Sequence, residues 1–321
     1  MRILKDILSK FKKEEAGLNV LSLFDGISCG QVALERAGIK VNNYFASEID
    51  KNAIKVTMAN YPNTIQIGDV RNIDVKTLPK IDLLIGGSPC QNLSIAGNGK
   101  GLEGEKSCLF YEYARILKEI KPKYFLLENV KMKKENEEII TNIMGVKPII
   151  INSSLVSAQN RVRLYWTNIP NIEQPKDLKI LLNDIIEDGF WSDRDKAYCI
   201  DASYYKGGNL KSYFEKRRRQ IVFDRPLQIG ENDLKGYDSI KRVYSVLAKS
   251  PTLTTCGGGH REPKVAVDDK HWRILTPLEC ERLQTLPDNY TKGISNTQRY
   301  KCIGNGWTVD VIAHILKGIK E

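Results

Sequence analysis

The stretch NVLSLFDGISCGQVALERAG, residues 19–38, decides the fold. Asn19 to Phe24 is short, apolar and ended by a turn, and reads as a strand. It runs into Phe24-Asp25-Gly26-Ile27-Ser28-Cys29-Gly30, and a helix is expected from Gly30 to Ala37. Strand, glycine-bearing turn and helix form the opening unit of an open α/β sheet, where ligands bind beyond the carboxyl ends of the strands. The glycines are not spaced G-x-G-x-x-G, which disfavours a dinucleotide.

Outward from that unit the alternation continues. Further strands are expected at Asn43–Glu48, Ile81–Gly86, Lys123–Glu128, Pro148–Ser154 and Arg163–Asn168. Helices are expected at Lys51–Tyr61 and Leu109–Ile120, the latter turning Leu109, Ala114, Leu117 and Ile120 to one face. This is the pattern of a parallel sheet covered on both faces. After Pro170 the alternation stops, and a segment rich in glycine, tyrosine and charge follows to about Asp269. A helical pattern then resumes with Thr276 as N-cap, Pro277 in the first turn and Glu279 three residues on, a capping box. The expected organisation is a short amphipathic helix over 1–17 (Leu4, Ile7, Leu8, Phe11), a large α/β domain over 18–170, a smaller domain over 171–271, and C-terminal helices over 272–321 that return to the first domain.

The 321 residues carry 49 Lys+Arg against 39 Asp+Glu, a formal charge of +10. A hydrophobic share of 41% supplies at least one core and excludes disorder as the main state. No run of 18 apolar residues is present, so no membrane span is expected, and the N-terminus does not read as a secretory signal. Seven cysteines without a C-x-x-C pair argue against a disulfide framework or a metal site, and for a reduced, cytoplasmic protein. The positive charge is concentrated: Lys196 to Ser250 holds 12 Lys/Arg, 6 Asp/Glu and eight aromatics. Such interleaving fits a nucleic-acid surface or a solvated basic face.

Chemistry-bearing residues gather at the expected strand ends. Glu48 ends the second strand, as a ribose-binding carboxylate would, and Gly68-Asp69-Val70 could accept from an adenine amino group, so an adenosine-containing cofactor is indicated. Ile85-Gly86-Gly87-Ser88-Pro89-Cys90-Gln91-Asn92-Leu93-Ser94 presents a cysteine after a fixed Pro, ahead of a loop carrying Gly97, Gly99, Gly101 and Gly104. A core cysteine needs neither neighbour. Glu128 ends the next strand, and Gln159, Arg161 and Arg163 alternate so as to share a face. A thiol, an acid and paired guanidiniums suit nucleophilic attack on a heterocycle.

In this order the motifs resemble the DNA cytosine carbon-5 methyltransferases, from about Leu18 to Leu316. The resemblance rests on the glycine turn, Glu48, Gly68-Asp69-Val70, Ser88-Pro89-Cys90-Gln91, Glu128-Asn129-Val130, Gln159-x-Arg161-x-Arg163, the Arg273–Gln284 run and Gly304-Asn305. Phe24-Asp25-Gly26-Ile27, Ala46-Ser47-Glu48 and Leu93-Ser94-Ile95 look most like the animal de novo enzymes and their phage or bacterial relatives. Asn305-Gly306-Trp307-Thr308 departs from the commoner Asn-Ser-Val and turns Trp307 toward the cofactor or into packing.

The resemblance implies a Rossmann-like S-adenosylmethionine-dependent methyltransferase domain with a smaller target-recognition domain. It implies Cys90 as nucleophile, Glu128 at the base, and Arg163 holding the ring oxygen with Arg161 in support. Implied cofactor contacts are Phe24, Gly26, Ile27, Ser28, Glu48, Ile49, Asp69, Val70, Pro89, Leu109, Asn305 and Trp307. Implied contacts to double-stranded DNA are Gln91, Ser94, Arg242, Thr255 and Gly257, with Arg242 on a guanine edge or a phosphate. The implied partners are a flipped-out cytosine in duplex DNA and, for a restriction–modification pair, a cognate restriction endonuclease. An inactive DNA-binding paralogue would lack Cys90 or Glu128, and both are present. The transfer-RNA-modifying branch carries a different tripeptide near the insert, with no clear copy here.

Overall fold

The computed structural model describes residues 17–89, 109–187, 190–224, 228–231, 242–244, 264–265 and 272–319. The N-terminal helix expected over 1–17 therefore lies outside the described residues, Gly17 apart.

β1 (Leu18–Leu23) leads through the glycine turn to α1 (Cys29–Ala37), then β2 (Val41–Ser47), α2 (Lys51–Asn60) and a two-residue β3 (Ile65–Gln66). β4 (Leu83–Gly87), α3 (Leu109–Ile120), β5 (Tyr124–Val130), α4 (Lys134–Met144), β6 (Ile149–Asn152) and β7 (Val162–Thr167) follow. These seven strands make one sheet in the order β3-β2-β1-β4-β5-β7-β6. Neighbours from β3 to β5 are parallel. β7 runs antiparallel to both β5 and β6, so the expectation of a wholly parallel sheet is corrected at this edge. The reason is length. Between Asn152 and Val162 there is no room for the dozen or more residues of a parallel crossover, so the two strands form a hairpin-like pair.

Alternate strand residues feed two cores, the period-2 signature of a sheet covered on both faces. Val20, Ala46, Leu83, Ile85 and Leu126 pack with Val32, Ala33 and Leu34 of α1 and with Val309, Ile312 and Leu316 of the C-terminal α8 (Val309–Leu316). Leu21, Leu23, Phe45, Leu84 and Leu127 pack on the other side with α3 and with Ile140 and Met144 of α4. On α3 the fully buried stripe is Phe110, Tyr113 and Ile116; Leu109, Ala114, Leu117 and Ile120, the face expected from the sequence, flank it and are only partly buried. The two aromatics carry more apolar area than the aliphatics they displace, so the helix rotates to bury them.

Past the main sheet come β8 (Phe190–Trp191), α5 (Leu210–Lys216), β9 (Ile221–Asp224), β10 (Gln228–Glu231), β11 (Arg242–Tyr244), β12 (Lys264–Val265) and β13 (Trp272–Ile274). They form two three-stranded sheets, β10-β11-β12 and β13-β9-β8. α6 (Pro277–Leu283) and α7 (Asn296–Asn305) complete the described chain before α8. The capping box is present: Glu279 N donates to Thr276 Oγ1 (3.2 Å) and Thr276 N to Glu279 Oε2 (2.7 Å). A third core joins Ala158, Leu182, Ile200, Tyr204 and Val222 to Leu275, Leu283 and Ile303, so it draws on residues either side of positions 170 and 271.

Candidate active site

The order of the strands reverses between β1 and β4, and the carboxyl ends of β1, β2, β4 and β5 open on the same edge. That is the switch point at which open α/β sheets hold ligands. A cavity of about 710 Å³ lies there, within the size range of small-molecule sites.

One half of the cavity is built by the glycine turn and the ends of β2 and β3. Phe24, Gly26 and Ser28 all take positive φ (56°, 59° and 57°), a tight bend at the mouth of the sheet. Gly26 N donates to Glu48 Oε2 (2.8 Å), while Ile49 N and Asp50 N donate to Glu48 Oε1 (2.7 and 2.8 Å). Three main-chain donors thus fix the Glu48 carboxylate and leave one lone pair on Oε2 for an incoming hydroxyl. Asp69 is gripped by Arg71 through both oxygens, and these bonds hold its carboxyl below the usual range. An amino group at Asp69 would have to share it with that guanidinium. Asp50 caps α2 and pairs with Lys301 of α7 at 2.6 Å.

Below the turn, Asp25 accepts from Ser28 Oγ and from Tyr44 Oη (2.7 Å). Burial pushes its carboxyl up to about 6, against the lowering effect of those hydroxyls. Ser28 and Ile27 do not line the cavity. Ser28 is spent on Asp25, and the Ile27 side chain belongs to the core, because the bend that exposes Gly26 turns its successors inward.

The other half is built by β4, β5, β7 and the segment after α7. Asn129 Nδ2 donates to Ser88 Oγ (3.0 Å) and fixes the chain just before Pro89. Glu128 Oε1 sits 3.0 Å from Arg163 Nε, which lacks the alignment of a hydrogen bond. Glu128 Oε2 accepts from the indole Nε1 of Trp307 at 3.2 Å.

Gln159, Arg161 and Arg163 do not act from one strand face. β7 begins only at Val162, and the buried Gln159 amide donates to Leu283 O and Gln284 Oε1. The Arg161 guanidinium is buried and donates to Ile200 O (3.2 Å), Gly304 O (3.3 Å) and Gly306 O (2.9 Å). It reaches the cavity wall as a brace on the Gly304–Gly306 turn. Arg163 alone of the three meets Glu128.

Of the residues expected from the sequence, Phe24, Gly26, Glu48, Ile49, Asp69 and Val70 line the first half. Pro89, Leu109, Glu128, Arg161, Arg163, Asn305 and Trp307 complete the wall. Cys90, Gln91, Ser94, Thr255 and Gly257 lie outside the described residues, and Arg242 is placed only as the first residue of β11. Asp25, Asp50, Arg71, Lys301 and Cys302 also line the cavity without having been singled out as site residues. Asp25 carried a signal, as the one carboxylate inside the glycine turn. Lys301 carried none, because its partner Asp50 is 251 residues away.

A family model described as C-5 cytosine-specific DNA methylase matches residues 18–321. The orphan methyltransferase M.Rho11sI of Bacillus phage rho11s is 32% identical, over 94% of this chain and 97% of its own length. The type II methyltransferase M.Bsp6I of Bacillus sp. (strain RFL6) is 32% identical, over 94% of this chain and 98% of its own. The solved structure of Entamoeba histolytica methyltransferase EhMeth superposes with a TM-score of 0.64 at 19% identity, covering 96% of this chain and 100% of that one, a likeness of fold.

Proposed function

Because the chain belongs to the C-5 cytosine-specific DNA methylase family, we propose that it methylates carbon-5 of a cytosine flipped out of double-stranded DNA, using S-adenosylmethionine and a covalent adduct on Cys90. The observation that carries this reading is one cavity with two chemically different halves. An apolar and carboxylate-lined half adjoins a half walled by Glu128, Arg163 and Pro89, the residue immediately before Cys90 in the chain.

The first half fits an adenosine-containing molecule: Phe24, Val70 and Leu109 offer apolar surface, and the pinned Glu48 offers an acceptor for ribose hydroxyls. Phe24, Gly26, Ile49, Asp69, Pro89, Asn305 and Trp307 complete the proposed contacts. When bound, S-adenosylmethionine would supply an electrophilic methyl group.

The residues of the second half activate the base. The Cys90 thiolate forms a bond to ring carbon-6, which pushes electron density to carbon-5. Glu128 hydrogen-bonds ring nitrogen 3 and the exocyclic amine, stabilising the charge that develops on addition. Arg163 holds the ring oxygen, and Arg161 supports the wall behind it. After substitution at carbon-5 the proton there departs to a base and the carbon–sulfur bond breaks, restoring the thiolate. Gln91, Ser94, Arg242, Thr255, Gly257 and the basic Lys196–Ser250 segment are the proposed DNA contacts. In a type II pair the partner would be a restriction endonuclease. No helix among the described residues is long and apolar enough to cross a membrane.

The test uses duplexes carrying 5-fluorocytosine at every cytosine, since fluorine cannot leave carbon-5 as a proton does. With labelled S-adenosylmethionine, wild type should form a stable protein–DNA adduct and Cys90→Ser none. Equal adducts, or no adduct from wild type, would sink the reading. Glu128→Gln should lower kcat by about 10²–10³-fold.

A further inference from the structure

Trp307 follows the C-terminal end of α7 and lies half-buried in the cavity wall. Its ring lies over Gly30 at the start of α1, where an added Cβ would come 3.6 Å from Cζ3. From there the indole reaches across the end of β4 to Glu128 Oε2, 3.2 Å away. Gly87 is what lets them meet. A Cβ at that position would stand 2.9 Å from Glu128 Oε2 and 2.9 Å from Trp307 Nε1.

The segment holding the indole is fixed on both sides. Arg161 Nη2 donates to Gly306 O (2.9 Å), and Thr308 Oγ1 bonds Gln284 Oε1 and Ser153 Oγ (2.9 Å each). The indole N–H is a donor with no acceptor capacity. Its bond to Oε2 fixes one carboxylate oxygen of Glu128, while Oε1 faces Arg163 on the other side.

We infer that Trp307 is a positioning residue for Glu128: its indole N–H sets the plane of the carboxylate, so base activation depends on it. The inference rests on the reading of Glu128 given above, and makes Trp307 more than a proposed cofactor contact.

The test uses the full-length protein with Trp307→Phe, which keeps an aromatic ring and removes the N–H, and Gly87→Ala, which keeps both partners and wedges them apart. The first readout needs no methyl donor. On duplexes containing 5-tritiated cytosine, the thiolate adds at carbon-6, carbon-5 takes a proton from water and gives up its tritium, and the thiolate leaves. Exchange should fall about ten- to a hundredfold in both variants, the range for losing a hydrogen bond to a charged group. In methyl transfer kcat should fall by the same factor, with KM for S-adenosylmethionine within about threefold of wild type. In a Glu128→Gln background Trp307→Phe should add less than about twofold, because it acts through that carboxylate. A raised KM for S-adenosylmethionine with unchanged kcat and exchange would overturn the inference and leave Trp307 a cofactor contact alone; full additivity with Glu128→Gln would also overturn it. Absence of exchange in wild type would instead overturn the reading of the site itself.

Discussion

The two arginines of Gln159-x-Arg161-x-Arg163 look interchangeable in the sequence, and the structure predicts that they fail in different ways. Consider Arg161→Lys. Arg161 is 4% exposed and its fork holds carbonyls from two separate segments, Ile200 on one Nη and Gly304 with Gly306 on the other. An ammonium is a single point on a shorter stem and cannot span both segments. One or two buried carbonyls then lose their partner, at about 1–3 kcal/mol each. A loss near 3 kcal/mol corresponds to a fall in Tm of about 6–12 °C at about 2–4 °C per kcal/mol for a large domain. Arg163→Lys removes no such bridge: Nη1 donates to the adjoining Val162 O (2.9 Å), and Nε approaches Glu128. Its Tm should move by less than about 3 °C while kcat falls by about 10²-fold or more. Scanning calorimetry and methyl incorporation, run on the same preparations, separate the two. If Arg161→Lys kept its Tm while losing activity a hundredfold, Arg161 would belong to the chemistry and the bracing role would be wrong.

Asp25 predicts a pH signature. Its folded-state value near 6 lies above the ordinary 3.8, so its burial contributes stability that is complete below about pH 4 and is lost as pH rises through 6. Asp25→Asn should therefore gain on wild type by up to about 3 kcal/mol between pH 4 and pH 8 in denaturant titrations; a pH-independent difference would refute the assignment. Thr276→Ala removes the acceptor for Glu279 N and a bond to Glu187, and should cost about 1–2 kcal/mol, read as a lower denaturation midpoint with an unchanged slope. Cys199 is exposed, and although desolvation raises its thiol, Arg161 and Arg163 beside the sulfur bring it below the ordinary value. Peptide mapping after brief iodoacetamide treatment at pH 7 should find Cys199 labelled ahead of the buried Cys29, Cys280 and Cys302; the reverse order would contradict the placement.

β1, β2, β4 and β5 and the helices α1, α2 and α3 are legible because their signals are local, whereas the two-residue β3 is too short to give one. Each legible strand is a short apolar run ended by a glycine or a carboxylate, and the capping box before α6 is spelled out in four consecutive residues. What the sequence concealed was set by competition between elements. α4 was not foreseen: its sequence KENEEIITNIM buries only Ile140 and Met144, too sparse a stripe to stand out. The face of α3 was misread because a count of aliphatics gave no extra weight to Phe110 and Tyr113. The reversal of β7 is legible in chain length rather than in periodicity, since the short connection from β6 leaves no room for a parallel crossover.

The site divides along the same line. Glu48 and Asp69 stand at strand ends, where topology alone brings them to one edge, and any sequence with these strands in this order would place them there. The contacts that tie the two halves together come from the last fifth of the chain. Lys301 meets Asp50, Arg161 holds Gly304 and Gly306, and Trp307 meets Glu128 across 179 positions. None of these pairs shares a helix face or a strand register, so no periodicity could have revealed them. They form because α8 docks Val309, Ile312 and Leu316 into the same core as α1, and that burial, about 1.5–3 kcal/mol for each large side chain, carries the preceding Gly304–Trp307 turn to the mouth of the sheet. The two halves of the cavity are thus joined by a segment whose position is set by apolar packing behind it. A cavity-forming change such as Ile312→Ala, which touches neither half, should then disturb both.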